Sequence, residues 1–247
     1  MLVDRLRRFA ADRFRNSSSR TALADKFIRG SGIEIGALHN PLRVPRHAQV
    51  SYVDRLSVAE LRWHYPELEH ETLVDVDVID DGERLGSIAD GSQDFVIANH
   101  FLEHSEDPIG ALLNMFRVLR SGGILYLAVP DKRFTFDLKR PTTPLEHLRD
   151  DHRHGPERSR RAHFEEWALL VDDVPEPDVE QRVEDLLALD YSIHFHVWTQ
   201  PDVLELLVAL RNEFGVAYDL EAAVRNGHEN VFVLRRLAPA EAEGAAA

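Results

Sequence analysis

The residues best suited to chemistry in this chain fall where short apolar runs stop. Glu34 and Gly36 close GIEIGA (32–37), and Asp54 with Arg55 closes SYVD (51–54). Asp81, Gly82 and Glu83 follow TLVDVDVI (72–79), and Asn99, His100, Glu103 and His104 follow DFVIAN (94–99). A carboxylate at a strand end can accept hydrogen bonds from the vicinal hydroxyls of a ribose. A glycine in the turn lets backbone approach a ligand with no Cβ in the way. Glu34 and Asp54 stand twenty residues apart, a spacing shared by many nucleotide-binding folds. Asp54 reads equally as a helix N-cap.

A second set lies further on. If residues 144–153 are helical, His147 and Asp151 share a face at i, i+4. Such a pair can act as a general base and its orienter, as two ligands of a divalent ion, or as a surface ion pair. Oxygen-rich surroundings would favour Mg2+ over zinc. His163 to Trp167 and Tyr191 to Trp198 mix polar and aromatic groups, with His194 and His196 on one face if the segment is extended. That mixture suits a sugar, and equally a buried structural network.

The elements that must position these groups follow from pattern. A fifth apolar run, GILYLAVP (123–130), stops at proline. Before it, Pro108 opens a helix with an inward stripe of Ile109, Leu112, Leu113, Phe116 and Leu119 that Gly122 should end. Strands alternating with helices imply a parallel sheet covered on both faces. Residues 131–190 break the rhythm. From 141 to 190 there are fourteen acidic and six basic residues and four histidines, which predicts an insertion of short helices with a solvated acidic surface over the sheet edge. A helix over 201–214 and strands over 216–224 and 230–237 then follow. The Asn-Gly turn makes that last strand pair antiparallel. Residues 1–30 read as an amphipathic helical segment and 239–247 as a disordered tail. Residues 31–238 form the domain between them, with 131–190 on its acceptor side.

Composition narrows the function. The chain has 247 residues, is 44% hydrophobic and 29% charged, and carries a net charge of −14. That argues against a nucleic-acid partner, which needs clustered positive charge. It contains no cysteine, which excludes disulfides, thiolate catalysis and Cys-ligated metals. No apolar run is long enough to span a membrane. The N-terminus lacks the apolar core of a secretory signal, and Asp4, Asp12 and Asp25 argue against a mitochondrial leader, so the expected location is cytoplasmic. A homodimer is compatible with all of this.

In order, Glu34-Ile-Gly36, Asp54, Asp81-Gly82-Glu83-Arg-Leu85, Asp94 to His104 with its Leu-Glu-His, and Leu119 to Pro130 with its double glycine resemble the class I S-adenosylmethionine-dependent methyltransferases, in particular the type 11 group. The resemblance implies an α/β, Rossmann-like fold: a seven-stranded, mostly parallel sheet with an antiparallel last strand, helices on both faces and a helical insertion after strand 5. It implies S-adenosyl-L-methionine as cofactor. Glu34 and Gly36 would hold its methionine moiety, Asp54 its ribose, and Asp81 and Gly82 its adenine, with Arg55 also among the cofactor-binding residues. Asn99 and His100 would lie under the sulfur, while Glu103 and His104 would anchor the next helix. Leu38 and Asn40 depart from the family, standing where later glycines of the first motif would be. Arg140-Pro-Thr-Thr143 and the His-rich insertion are similar to glycan-modifying methyltransferases of actinobacteria, such as the 1-O-methyltransferases of methylmannose polysaccharide synthesis. The favoured expectation is thus O-methylation of a small-molecule or oligosaccharide hydroxyl, with His147, Asp151 and His100 as catalytic candidates. The alternatives are an N- or C-methyltransferase, or a non-catalytic methyltransferase-like binding protein.

Overall fold

The structure is a computed structural model that describes residues 18–238. The sequence expectations for residues 1–17 and 239–247 lie outside the described residues. The chain opens on α1 (Ser18–Phe27) and runs into β1 (Ser31–Ile35), β2 (Gln49–Asp54), α2 (Val58–His64), β3 (Val78–Ile79), β4 (Gln93–Asn99) and α3 (Pro108–Val118). It continues through β5 (Leu119–Pro130), α4 (Leu145–His154), α5 (Glu157–Leu170), α6 (Val179–Ala188), α7 (Gln200–Asn212), β6 (Tyr218–Asn226) and β7 (Glu229–Arg236). The strands form one sheet in the order β3-β2-β1-β4-β5-β7-β6. All neighbours pair in parallel except β7, which slots antiparallel between β5 and β6.

The two-residue period of the strands divides the core in two. Ile33, Ile35, Val96, Ala98, Leu125 and Leu127 point to one face, under Ile109 and Leu112 of α3 and Leu206 and Leu210 of α7. Phe95, Ile97, Tyr126, Ala128 and Val233 point to the other, against Ala24, Phe27 and Ile28 of α1 and its junction to β1. Asp107 caps α3 by accepting the Gly110 N–H at 2.9 Å, and Pro108 fills the first turn.

Two expectations about elements are corrected. The third strand spans only Val78 and Ile79, not 72–79. Asp75 and Asp77 are poor strand residues at a sheet edge, and the Asp77 carboxylate itself takes the Tyr52 N–H at 2.8 Å. Gly122 does not end the preceding helix: α3 stops at Val118 and the chain passes directly into β5, so Gly122 lies inside that strand.

The chain leaves the sheet at Asp131 and returns at Trp198, and these two residues pair with each other. Between them α4, α5 and α6 do more than present a solvated acidic surface. Phe164, Trp167, Ala168, Val171, Val183, Leu186, Ile193 and Phe195 form a third apolar cluster. Several of the acids outside it meet arginines; Arg161 alone reaches Glu180 and Glu184, each at 2.7 Å.

Arg140, fully buried, ties this cap together. Its Nη1 donates to Asp137 at 3.0 Å and to the His194 carbonyl at 2.7 Å, its Nη2 to the Phe195 carbonyl at 3.3 Å, and its Nε to Glu166 at 2.7 Å. Removing one partner of a buried ion pair strands the other. Arg140→Ala should therefore lower stability by about 3–5 kcal/mol in urea denaturation, with Arg140→Lys recovering only part because it cannot reproduce the fork.

Candidate functional site

The carboxyl ends of β1, β2 and β4 open on a cavity of ≈510 Å³, within the range of small-molecule sites. Gly36, Leu38, Asp54, Arg55, Asp81, Gly82 and His100 line it from the sheet side. The cap supplies Arg160, Asp190, Tyr191, Ser192 and Phe195, with Tyr65, Glu83, His104 and Glu106 completing the wall.

Gly36 has φ +63, and a Cβ there would meet nothing nearer than Phe101 at 3.8 Å, so its backbone faces open space. Leu38 has φ +51, which costs a residue with a Cβ about 1–2 kcal/mol. The loop thus keeps a glycine-like conformation at one of the two positions where glycine is replaced. Glu34 stands behind this loop, buried, and both its oxygens accept the Leu42 N–H, at 2.9 and 3.0 Å. Burial pushes its carboxyl up to about 7, against the pull of that hydrogen bond and of Arg20. Asn99 donates to Glu34 at 3.4 Å, while its own Oδ1 is buried without a partner. Neither Glu34 nor Asn99 reaches the cavity wall.

Asp54 ends β2 on the wall, and its Oδ1 accepts the Leu56 N–H at 3.3 Å. Burial raises its carboxyl from the usual range. The 80–87 loop is shaped by Asp80, which accepts from Asp81 N–H, Ser87 N–H and the Ser87 hydroxyl. That brings Gly82 so close to Ile35 and Phe101 that a Cβ would sit 2.6 Å from one and 2.8 Å from the other. Across the cavity, Arg55 Nη1 donates to Asp190 at 2.8 Å, and Asp190 also holds Arg160. The two halves are bridged by ion pairs.

His100 has each ring nitrogen on a carboxylate: Nε2 lies 2.6 Å from Glu229 and Nδ1 3.3 Å from Glu103. Burial alone would raise the Glu103 carboxyl. The hydrogen bond and charge of His100, with His194 and His104, outweigh it and hold the group at about 2. His104, placed by the sequence reading as a helix anchor, is on the cavity wall. Its Nδ1–H donates to the Ile193 carbonyl at 2.8 Å. That ring, with Tyr65, Arg160 and Asp190, is what sequence reasoning missed; the Tyr191-Ser-Ile-His stretch was the visible signal.

His147 and Asp151 do pair, at 3.1 Å, but they do not line the cavity. His163 and His196 gather with them instead. Three imidazoles and one carboxylate are a nitrogen-rich donor set, which does not fit Mg2+, a cation of oxygen ligands.

Residues 30–127 match the family model described as "Methyltransferase domain". The matched stretch runs from the approach to β1 into β5, about two fifths of the chain. The expectation of an S-adenosylmethionine-dependent methyltransferase stands on that match, and the acids and close-approaching backbone of the wall suit the cofactor. A SAM-dependent methyltransferase from Thermotoga maritima, described as a possible histamine N-methyltransferase, superposes with a TM-score of 0.50 at 16% identity over 93% of each chain. A Rhodobacter sphaeroides protein provisionally described as a Zn-dependent alcohol dehydrogenase gives 0.54 at 19% identity over 91% of this chain and 92% of its own. A Haloferax volcanii protein, provisionally a methyltransferase and solved with the Trm112 activator, gives 0.50 at 14% identity over 92% of each. At these identities the likeness is one of fold, and neighbours with different descriptions show why function must come from the site. No curated protein sequence matches the chain. Among the described residues no helix is long and apolar enough to cross a membrane.

Glu34 makes a pH signature. Its folded pKa of about 7 lies above the ordinary 4.5, so the folded protein holds a proton that the unfolded chain has released. Stability contributed by this group is complete below pH 4.5 and is lost as pH rises through 7. Glu34→Gln should remove about one proton's worth of that decline, read as a flatter plot of denaturation free energy between pH 5 and 8.

Proposed function

We propose that this methyltransferase transfers the methyl group of S-adenosylmethionine to a hydroxyl of a polar, uncharged acceptor of the saccharide class. The observation that carries the reading is the wall opposite the strand ends. Tyr65, His104, Glu106, Arg160, Asp190, Tyr191 and Ser192 offer hydrogen-bond donors, acceptors and two phenol faces in one cavity. Sugar rings stack on aromatic faces while their hydroxyls take hydrogen bonds. The net charge of −14 disfavours an anionic acceptor.

In this reading Gly36 and the loop positioned by Glu34 and Asn99 take the methionine end. Asp54 takes the ribose hydroxyls with Arg55 beside it, Asp81 and Gly82 meet the adenine, and His100 shapes the strand end beneath the sulfur. The bound sulfonium supplies an already activated methyl group. The protein's task is to hold the acceptor oxygen in line and to keep water out. The acceptor also has to lose a proton. We assign that role to His104 rather than to the His147–Asp151 pair, because His104 is on the wall and the pair is not. With Nδ1–H given to the Ile193 carbonyl, Nε2 carries the lone pair.

Calorimetry with S-adenosylhomocysteine should show binding to the wild type and at least ~10-fold weaker binding to Asp54→Ala, the loss of a charge-assisted hydrogen bond. His104→Gln should keep that affinity and lose about 100-fold or more in kcat. The assay is S-adenosylhomocysteine release with a panel of neutral sugars and amines. Turnover of amines alone, or full activity in His104→Gln, would reject the proposal. Failure to bind S-adenosylhomocysteine would leave the non-catalytic reading.

A further inference from the structure

Behind the cavity wall lies a second convergence of polar groups that the proposed methyl transfer does not use. Helix α4 contributes His147 and Asp151 from one face, α5 contributes His163, and the returning segment before α7 contributes His196. One donor atom from each lies within 4.8 Å of all the others. His147 Nε2 is 3.0 Å from His163 Nε2 and 3.1 Å from Asp151 Oδ2.

The hydrogen bookkeeping leaves the cluster incomplete. One hydrogen between the two facing imidazole nitrogens satisfies that pair and nothing else. Asp151 Oδ2, on a side chain only 4% exposed, lies 3.1 Å from that same His147 Nε2, so a single hydrogen there serves His163 or Asp151 but not both. Its other oxygen is held by the Ser159 hydroxyl at 2.7 Å. His196 is fully buried. Its Nε2 lies 3.3 Å from the Glu106 carbonyl, to which it can only donate, so Nδ1 is the atom it can offer, and Nδ1 is buried without a partner. A buried lone pair without a donor, and a buried carboxylate oxygen competing for a shared hydrogen, cost stability as they stand. One cation would satisfy both.

We propose that His147, Asp151, His163 and His196 bind a zinc-class divalent ion. Bonds of about 2.0–2.2 Å in a tetrahedron set neighbouring donors about 3.3–3.5 Å apart, close to the separations His147 makes with His163 and Asp151. Three imidazoles with one carboxylate match the donors and coordination number of Zn2+. Ser159 on Asp151 and the Glu106 carbonyl on His196 are the outer partners that fix a carboxylate's orientation and a histidine's tautomer at metal sites. Four protein ligands close the coordination, so the role is structural. The ion joins α4 to α5 and pins His196, whose neighbour Phe195 forms part of the acceptor wall. The assignment is independent of what that wall binds.

The test is metal content and metal-linked stability, not turnover. Wild-type protein stripped with a strong chelator and dialysed against Zn2+ should retain about one zinc per chain by elemental analysis, and its melting temperature should rise. Co2+ in place of Zn2+ should give the intense visible absorption of tetrahedral cobalt. His163→Asn and His147→Ala should each weaken zinc binding at least tenfold while circular dichroism and S-adenosylhomocysteine affinity stay unchanged. Changing His152 and His154, which pair with Asp107 and Asp150 outside the cluster, should leave the stoichiometry at one. Well under half an equivalent of zinc in the reconstituted wild type would overturn the proposal. So would undiminished binding in both cluster variants, or a melting shift produced by Mg2+ and not by Zn2+.

Discussion

Two buried carboxylates, Glu103 and Asp137, govern how the helical cap sits on the sheet. Stripping water from a carboxylate costs several kcal/mol, so each must be met by charge and hydrogen bonds from its surroundings. Glu103 follows β4 and is met by His100. Asp137 follows β5 and is met by His194 at 2.8 Å and by Arg140. His194 belongs to a buried stretch of irregular chain whose backbone has no ladder to join. Phe195 N–H goes to the Glu103 carbonyl at 2.8 Å and the His194 carbonyl to Arg140. The polar groups of sheet and cap thus complete one another, and neither surface could be buried alone. The cavity exists because this contact fixes the distance between strand ends and cap.

The acidity of the chain takes a different meaning in this arrangement. The fourteen acids of 141–190 are not a uniform field. Some are bound by arginines between helices, as Glu180 and Glu184 are, and Asp190 reaches across the cavity to Arg55. Asp190 stands 135 residues from Arg55, so the sequence reading assigned Arg55 to the cofactor with no sign that it also faces the cap.

What was legible in the sequence is what local periodicity encodes. The short apolar runs at 32–35 and 95–98 mark strands whose two faces meet different layers, and the acids that end β1 and β2 stand at those ends. The 108–118 helix announced itself through Pro108 and its stripe, and Asn226-Gly227 announced the hairpin that puts β7 antiparallel. Where local signals competed, boundaries shifted: Asp77 spends its carboxylate on a ladder donor and shortens β3. What was not legible depends on three-dimensional closure. His147 and Asp151 share a helical face, which spacing shows, but His163 and His196 join them from other elements at separations with no period. Leu38 looked like a departure from a glycine-bearing loop. Its backbone nonetheless adopts the left-handed turn, a strain only tertiary contacts can hold.

Glu229, at the start of β7, has an implication for the order in which the molecule becomes competent. Its carboxylate holds His100 on one side, Arg20 of α1 at 3.1 Å on another, and the Asn226 amide on a third. The strand end that forms the floor of the cavity is therefore fastened by a residue near the end of the domain, which in turn clasps its first described helix. During synthesis from the ribosome, β1, β2 and β4 are complete more than a hundred residues before that carboxylate emerges. Until it does, the floor histidine has only one of its two carboxylates, so a ligand-ready pocket is a late event in the life of the nascent chain.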